Sequence, residues 1–303
     1  MIYRKYSFTF CSLAVLIIAS INGCARVTGQ TTHPAAVSNG TVSAFLTDAP
    51  ADGVVAFTIQ VTGASLEATN GVSTNISRGV QEIEMRHLQL APTLAFQSNS
   101  VPSGSFTSLI MTFANPQITL ADGQGNVTVL NSTTMPSVRL ASFVVNQPIN
   151  MVLQTAGSAS LAIDFDLRRS LQRDRTGNYV VTPVVSANVV TNSASNQNIE
   201  NAEATVVSIS SPSSVNVQLR DTGQIVSVVT NIGTSFADDV GQVTRIETGQ
   251  DIEIDAQLQN DGTFLATRVD SVSPNPPLCF SGVVVGIIQD PSGNPSIGVV
   301  VQE

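Results

Sequence analysis

The residues of this chain best suited to chemistry are carboxylates that recur at every second position. Asp251, Glu253 and Asp255 form one such row, and Asp164 and Asp166 form a second. Because side chains two positions apart on a β-strand share a face, each row would present its oxygens together. Hard cations such as Ca²⁺ take oxygen ligands, so both rows are candidate cation sites.

Arginines offer these carboxylates another partner. Arg268 lies on the strand expected beside the first row, and Arg168 and Arg169 directly follow the second. We expect ion pairs on a solvated strand face rather than a metal site, and the sequence predicts no cofactor.

Nucleophilic or acid–base catalysis has few residues to use. The two histidines are His33, in a polar segment, and His87, on the face predicted for Ile83 and Met85. Lys5 is the only lysine, and the chain has no tryptophan to serve as a sugar platform. The Gly-x-Ser-x-Gly turn of serine hydrolases is missing. We therefore expect a protein without enzyme activity.

The first 24 residues have the pattern of a secretion signal that ends in a cysteine. Arg4 and Lys5 precede an apolar run at residues 8–21, and Gly23 stands before Cys24. The run covers 14 residues, fewer than the roughly 20 that a helix needs to cross a bilayer. This pattern resembles the signal peptides of bacterial lipoproteins.

The resemblance implies cleavage between Gly23 and Cys24 and attachment of fatty acyl chains, palmitate among them, to Cys24. Two or three acyl chains hold a protein on a membrane far better than one. Ala25 is not the aspartate that retains such lipoproteins at the inner membrane, so the outer membrane is favoured. The alternative is ordinary secretion with Cys24 left as a thiol, in which case a disulfide to Cys279 becomes conceivable.

Charge limits the partners of the chain. The formal net charge is −9, and removal of Arg4 and Lys5 with residues 1–23 makes it −11 (−9 − 2). The sequence shows no basic patch, so the mature chain is expected to repel nucleic acid and anionic headgroups. We expect membrane attachment through the lipid at Cys24, no nucleic acid, and a glycan or an envelope protein as the remaining partner classes.

From Thr41 onward the sequence has a period of two. Segments such as FTIQVT at residues 57–62 and VNVQL at residues 215–219 alternate apolar and polar residues, and Asn-Gly or Asp-Gly pairs recur between such segments. Alternation predicts half-buried strands, and these pairs predict tight hairpins. The chain is therefore predicted to be all-β, with a β-sandwich followed by a small barrel and no helix outside the signal.

Composition divides the chain further. The predicted parts are a signal peptide (1–23), a flexible tether (24–39), a β-sandwich domain (40–190), a linker (191–203), a barrel domain (204–271), a proline-rich linker (272–280) and the start of a second barrel repeat (281–303). The repeat rests on ATVVSI at residues 204–209 and GVVVGI at residues 282–287, an offset of 78 (282 − 204). Either the chain is a fragment of a longer protein, which we favour because an isolated hairpin is marginal in water, or the last hairpin packs on the preceding barrel.

Four motifs mark the first domain, LTDAP at residues 46–50, VPSGSFT at residues 101–107, AIDFDL at residues 162–167 and GNYVVTP at residues 177–183. They resemble a family of uncharacterised domains common in bacterial lipoproteins. The resemblance implies a transthyretin-like or immunoglobulin-like sandwich and leaves the activity open. Within the first motif, Asp48 and Pro50 are expected to form a structural turn through the carboxylate and the fixed φ of proline.

The second domain carries VVSI at residues 206–209, TSF at residues 234–236, GQDIEI at residues 249–254 and DGTFLATRV at residues 261–269. These segments resemble another uncharacterised family with an OB-like barrel. OB barrels bind oligonucleotides or sugars, commonly through exposed aromatic residues. Phe236 and Phe264 are predicted to lie in the core, which disfavours nucleic acid.

We therefore expect a lipid-anchored, non-enzymatic protein of the bacterial cell envelope that acts as a spacer or binding module. The alternative is a carbohydrate-binding or adhesion module that uses loops at one end of the sandwich.

Overall fold

The computed structural model describes residues 39–49, 51, 53–85, 92–122, 126–190, 197–237, 246–272, 281–289 and 295–302. These residues form 21 strands and one helix, so the all-β class predicted from the sequence is confirmed. The helix, α1 (Leu167–Ser170), is a single turn and departs from the prediction of no helix. No helix in the described part of the chain has the length and apolarity needed to cross a bilayer.

Short turns connect most of the strands. The strands are β1 (Asn39–Ala49), β2 (Val54–Ala68), β3 (Ser73–Asn75), β4 (Gln81–Glu84), β5 (Thr93–Pro102), β6 (Gly104–Ala121), β7 (Val127–Leu130), β8 (Val138–Leu140), β9 (Val144–Leu153), β10 (Ser158–Asp166), β11 (Leu171–Arg173), β12 (Tyr179–Val181), β13 (Val185–Val190), β14 (Asn198–Ser211), β15 (Ser214–Leu219), β16 (Ile225–Val229), β17 (Ser235–Phe236), β18 (Asp251–Leu258), β19 (Phe264–Ser271), β20 (Ser281–Gln289) and β21 (Pro295–Gln302).

Two sheets pack face to face to form the sandwich. One has the strand order β13-β10-β1-β5, and the other is β3-β2-β6-β7, with β4 paired to β2 and β9 paired to β6. Apolar residues of both sheets form the first hydrophobic core. Phe165 of the first sheet contacts Phe57 and Phe113 of the second, with ring centroids 6.0 and 5.7 Å apart. Such aromatic pairs stabilise the contact between the sheets beyond the burial of apolar area.

A small third sheet is inserted between β10 and β13. The chain leaves the first sheet after Asp166, forms α1, β11 and β12, and returns at Val185. β8 joins this sheet by parallel pairing with β12. The inner face of this sheet packs against the first core, in which Val138 and Val181 are buried. Because Ala49 pairs with Asp166, the insertion lies at the end of β1 opposite to Asn39.

The second part of the described chain is a closed barrel. β14, β15 and β16 form an antiparallel meander, β18 pairs with β14, and β19 pairs with β18. Parallel pairing of β19 with β16 closes the barrel, and the short β17 also pairs with β19. The inward residues form a second core that includes Val206, Val217, Ile254 and Phe264. Closure satisfies the backbone groups that an open sheet edge would expose.

Strand β1 is buried on both faces because the sandwich core lies on one side and the barrel on the other. Val42, Ala44 and Leu46 belong to the first core, whereas Phe45 belongs to the second. The ring centroid of Phe45 lies 6.4 Å from that of Phe264 in β19. One strand therefore serves as a wall shared by the two cores.

Buried polar contacts fix the barrel on the same wall. Gln97 of β5 donates from Nε2 to Gly262 O and to Ser43 Oγ, each at 3.0 Å. The backbone N of Gln97 donates to Gln224 Oε1 at 3.2 Å. Because a buried polar group left without a partner is costly, these bonds select one docking geometry. Sandwich and barrel accordingly lie in one compact unit.

Residues 198–203, which composition assigns to a linker, instead form the start of β14 and pair with β18. Ile199 is buried in the second core. A register shift between Ile199 and Ala202 leaves room for Asn201, whose φ is +49°. The bulge interrupts the period of two, so local composition does not reveal this part of the strand.

Strands β20 and β21 pair with each other as an antiparallel hairpin. Their register shifts between Val284 and Gly286, and the register of β14 with β15 shifts between Val206 and Ser208. The two irregularities are 78 positions apart (284 − 206), which is the offset of the predicted repeat. The repeat stays a prediction, and the shared bulge supports it.

We expect Gly262→Ala to weaken the docking of the barrel. Gly262 has a φ of +85°, and a Cβ at this position would lie 2.7 Å from Thr41 Cγ2. The left-handed conformation costs a residue with a Cβ about 1–2 kcal/mol, and the overlap adds about 1–3 kcal/mol. The urea midpoint of unfolding should fall accordingly.

Gly249→Ala is the matched control for this substitution. Gly249 has a φ of +87° in the same barrel, and an added Cβ would meet nothing within 4 Å. It therefore reports the cost of the backbone conformation alone. Equal losses of stability in the two variants would contradict the close approach of Gly262 to Thr41.

Candidate binding surfaces

Several residues singled out by the sequence lie outside the described part of the chain. They are Gly23, Cys24, His33, Pro50, His87 and Cys279. The lipid attachment at Cys24 and the turn role of Pro50 stay predictions.

The barrel places Glu253 and Asp255 on the outer face of β18, as the alternation predicts. Arg268 of β19 lies between them, with Nη1 2.9 Å from Glu253 Oε1 and 3.7 Å from Asp255 Oδ2. Its Nη2 lies 2.7 Å from Asp270 Oδ2. The hydrogen bonds to Asp270 and then Glu253 raise the pKa of the Arg268 guanidinium. These carboxylates thus face an arginine, as expected from the sequence.

Asp251, the third member of this row, pairs with a different arginine. Its Oδ2 lies 3.1 Å from Arg220 Nη2, and Glu203 contacts Arg220 from the neighbouring strand. Thr205 Oγ1 donates to Asp251 Oδ1 at 2.6 Å. Among the described residues, no group of three or more His, Cys, Asp or Glu is placed to hold a metal ion. The row is an exposed ladder of ion pairs, each of which adds little stability in water.

Asp164 and Asp166 share a face of β10 but make different contacts. Asp166 Oδ1 accepts a hydrogen bond from Arg169 N at 2.8 Å and thereby caps α1. Asp164 Oδ1 accepts from Thr47 Oγ1 at 3.4 Å. Burial raises the pKa of Asp164, the Thr47 hydrogen bond opposes that rise, and the charge of Asp166 adds to it. Both carboxylates therefore take part in local structure.

Asp48 joins two of the sequence motifs. β1 runs parallel to β10, with Asp48 beside Phe165, so that LTDAP and AIDFDL lie side by side. Leu167 N at the start of α1 donates to Asp48 Oδ1 at 3.2 Å, and Thr47 Oγ1 donates to Ile163 O at 3.2 Å. Asp48 is buried, so its contacts hold the turn into α1 within the fold.

Five exposed arginines lie on α1, on the small third sheet or in the turn between β11 and β12. We call this set the arginine corner, and it consists of Arg139, Arg168, Arg169, Arg173 and Arg175. Pairing of β12 with β8 and β11 places Arg139 opposite Val180 and Arg173 opposite Tyr179. The Arg173 guanidinium lies 5.0 Å from the centroid of the Tyr179 ring, close enough for a cation–π attraction. The sequence predicted no basic patch. The fold brings Arg139 into the same small sheet as Arg173, with the two residues on opposite faces of that sheet.

A carboxylate shapes the turn within this corner. Asp174 Oδ1 accepts hydrogen bonds from Thr176 Oγ1 at 2.7 Å, Thr176 N at 2.9 Å and Asn178 N at 3.0 Å. The Thr176 hydroxyl is the largest cause that lowers the pKa of Asp174, and the charge of Arg139 also contributes. The turn is thus held by a carboxylate that stays ionised near neutral pH.

The loop at residues 131–137 separates two concavities. One holds about 240 Å³ and is lined by neutral polar residues and one proline, Gln60, Asn115, Pro116, Gln117, Asn131, Ser132 and Thr133. The other holds about 400 Å³ and is lined by Met135, Pro136, Arg173, Thr176, Gly177 and Asn178. We call them the amide concavity and the arginine concavity. Since a single loop contributes to both, a bound chain can contact the two at once.

A third concavity of about 290 Å³ lies at the bulge of the barrel. Glu200, Asn201 and Asp255 contribute to its lining. Asn201 N donates to Asp255 Oδ1 at 2.6 Å, which uses one carboxylate oxygen to hold the bulge. Its acidic rim makes it a poor place for an anion.

Sequence reasoning missed both the arginine corner and the amide concavity. The available signal for the corner was the density of arginines, four within residues 168–175 of a chain that has 13 cationic residues in total. The amide concavity left no local signal, because its residues come from two separate strands, β2 and β6, and a loop.

The turn at Asp174 predicts a pH-dependent stability. A depressed carboxylate pKa contributes stability that is present above the ordinary value of 3.8 and is lost as the pH falls through the folded-state pKa. The Tm of Asp174→Ala should therefore lie below that of the unsubstituted protein at neutral pH. Thermal unfolding followed by circular dichroism should show this gap closing in acid.

Asp221→Ala is the control for Asp174→Ala. Asp221 is an exposed turn aspartate, and within the described residues its carboxylate accepts no comparable set of hydrogen bonds. If the Tm of Asp174→Ala lay below that of the unsubstituted protein by the same amount at every pH, the assigned role of the Asp174 carboxylate would be contradicted.

Comparison with known proteins adds one match. None of the curated proteins and none of the solved structures matches the chain. Residues 39–183 match the family model described as Domain of unknown function (DUF4382). The matched segment begins with β1 and ends just before β13, so it contains the arginine corner and both concavities beside the loop. Residues 39–183 therefore form a DUF4382 domain, a domain of unknown function.

Proposed function

We propose that this protein is a non-enzymatic binding module of the bacterial cell envelope, anchored through acyl chains on Cys24. The sequence at residues 1–24 supports the anchor, and Ala25 favours the outer membrane. Of the two roles expected for such a protein, spacer and binding module, the second has the better structural support.

The observation that carries this choice is the shared wall at β1. A spacer built of separate domains gains length from the linkers between them. Here Phe45 and Leu94 of the sandwich are buried in the core of the barrel. This packing makes the two-domain body shorter and more rigid than two domains joined by a linker would be. A rigid body keeps the loops at its end in fixed positions, which lowers the entropy lost on binding.

Carbohydrate binding is the second candidate function, and the amide concavity favours it. Asn and Gln side chains offer both donors and acceptors, which suits the hydroxyl groups of sugars. Asn115 Nδ2 donates to Gln60 Oε1 at 2.8 Å, so these two amides hold each other in place. Gln117 is exposed beside them and is available to a ligand.

Substitution of Cys24 tests the anchor. Cys24→Ser removes the sulfur that the acyl chains require, so the protein should move from the membrane fraction to the soluble fraction. Cys279→Ser is the matched control and should leave the distribution unchanged. Immunoblots of fractionated cells measure both. Unchanged membrane association of the Cys24 variant would overturn the lipid anchor.

A glycan array tests the binding role. We expect reproducible binding to at least one glycan, and Gln117→Ala should weaken that binding about ten-fold because it removes a hydrogen bond to the ligand. Gln257→Ala, in the concavity of the barrel, is the control and should bind as the unsubstituted protein does. Absence of binding across the array would refute the carbohydrate function.

A further inference from the structure

We propose that the amide and arginine concavities together bind a carboxylated polysaccharide that crosses the loop at residues 131–137. Its carboxylate would contact Arg173, and its hydroxyl groups would contact Asn115 and Gln117. This inference rests on the proposed binding function and specifies the chemical class of the ligand.

The face that carries the arginine corner and the loop at residues 131–137 is positively charged, whereas the barrel is negatively charged. Residues 131–141 and 166–183 contain five arginines and two aspartates, a formal charge of +3 (5 − 2). Residues 198–237 and 246–271 of the barrel contain nine acidic residues and two arginines, a formal charge of −7 (2 − 9). An anion is therefore repelled by the barrel and attracted to the arginine corner.

Three arginines of the corner are available to a ligand. In the described part of the chain, Arg168, Arg173 and Arg175 make no ion pair, whereas Arg169 lies 3.8 Å from Asp166. The planar guanidinium binds a carboxylate through two parallel hydrogen bonds. Arg173 is the best placed of the three, since it lines the arginine concavity and its guanidinium stacks on Tyr179.

The loop between the concavities is held in shape before any ligand binds. Asn131 Oδ1 accepts from Thr133 N at 2.9 Å, and Thr134 Oγ1 donates to Pro136 O at 2.8 Å. Ser137 N donates to Asn178 Oδ1 at 2.9 Å, which ties the loop to the turn of the arginine corner. A preorganised loop loses little entropy when a flexible polysaccharide binds.

The strongly acidic body favours a carboxylated sugar over denser polyanions. Nucleic acid and polyphosphate carry closely spaced charges that the barrel would repel. A uronic acid polymer carries one charge per sugar and offers hydroxyl groups between the charges. Its carboxylates and hydroxyl groups alternate along the chain, so a carboxylate can contact the arginine concavity while neighbouring hydroxyl groups contact the amide concavity.

The position of the face suits an external ligand. The insertion that carries the arginine corner leaves β10 at Asp166, beside Ala49, whereas β1 begins at Asn39. The ten residue steps from Asn39 to Ala49 span about 33 Å at about 3.3 Å per residue. The face therefore lies at the end of the sandwich remote from residue 39, where the predicted tether joins.

Calorimetric titration of the detergent-solubilised full chain tests the inference, with hexagalacturonate as the acidic probe and maltohexaose as the neutral one. We expect the acidic hexamer to bind more tightly, and added salt to weaken it. Arg173→Gln should weaken it at least about ten-fold, because a charge-assisted hydrogen bond is lost. Arg173→Lys keeps the charge but lacks the planar guanidinium, so its affinity for hexagalacturonate should lie between those of the Arg173→Gln variant and the unsubstituted protein.

Arg78→Gln is the matched control, since Arg78 is exposed on the sandwich between β3 and β4. Arg175→Gln provides a second corner variant that leaves the stacking on Tyr179 intact. A Met135→Trp variant adds an optical signal, because the chain has no tryptophan and Met135 is 92% exposed on the loop. Its fluorescence should change when hexagalacturonate is added and should stay the same when maltohexaose is added.

The outcomes separate this inference from the function on which it rests. Equal affinity of the Arg173→Gln variant and the unsubstituted protein for hexagalacturonate would overturn the inference. Preference for maltohexaose, lost in Gln117→Ala, would also overturn it and would leave carbohydrate binding intact. Failure of both hexamers to bind overturns it as well, and the glycan array and the Cys24→Ser fractionation then decide the proposed function separately.

Discussion

The burial of β1 on both faces is the constraint on which the rest of the structure depends. Val42, Ala44 and Leu46 complete the sandwich core, and Phe45 reaches into the barrel. The same strand pairs with β10 up to Ala49, where Asp48 holds the turn into α1. From that turn the chain builds the small sheet with its arginines. The docked barrel and the polar face therefore both take their positions from one strand.

The period of two was sufficient to predict the class of fold and the outer face of β18, where Glu253 meets Arg268. Such features depend on neighbours that are close in sequence or on a regular alternation of side chains. The docking of the barrel was not predicted, because Phe45, Leu94 and Gln97 occupy strand positions that look ordinary one at a time. A usable signal was the run from Val42 to Leu46, which lacks strongly polar residues on either face, as expected of a strand covered on both sides.

The arginine corner escaped prediction for a different reason. Net charge averages over the whole chain, and −9 conceals a region of opposite sign. Parallel pairing of β8 with β12 is a long-range event that brings Arg139 to residues 168–175. The polar start of β14 was likewise hidden, because the bulge at Asn201 breaks the alternation by which strands are recognised. In each case the missing information was tertiary.

The entry of the chain through β1 also has a mechanical consequence. β1 is bonded along its length to β10 on one side and β5 on the other. A pull exerted along β1 from the segment before Asn39 loads many backbone hydrogen bonds in shear rather than opening them one by one. Drag on a captured polymer would thus be resisted by a strand that is buried on both faces, and the body would yield only when that strand slides as a whole.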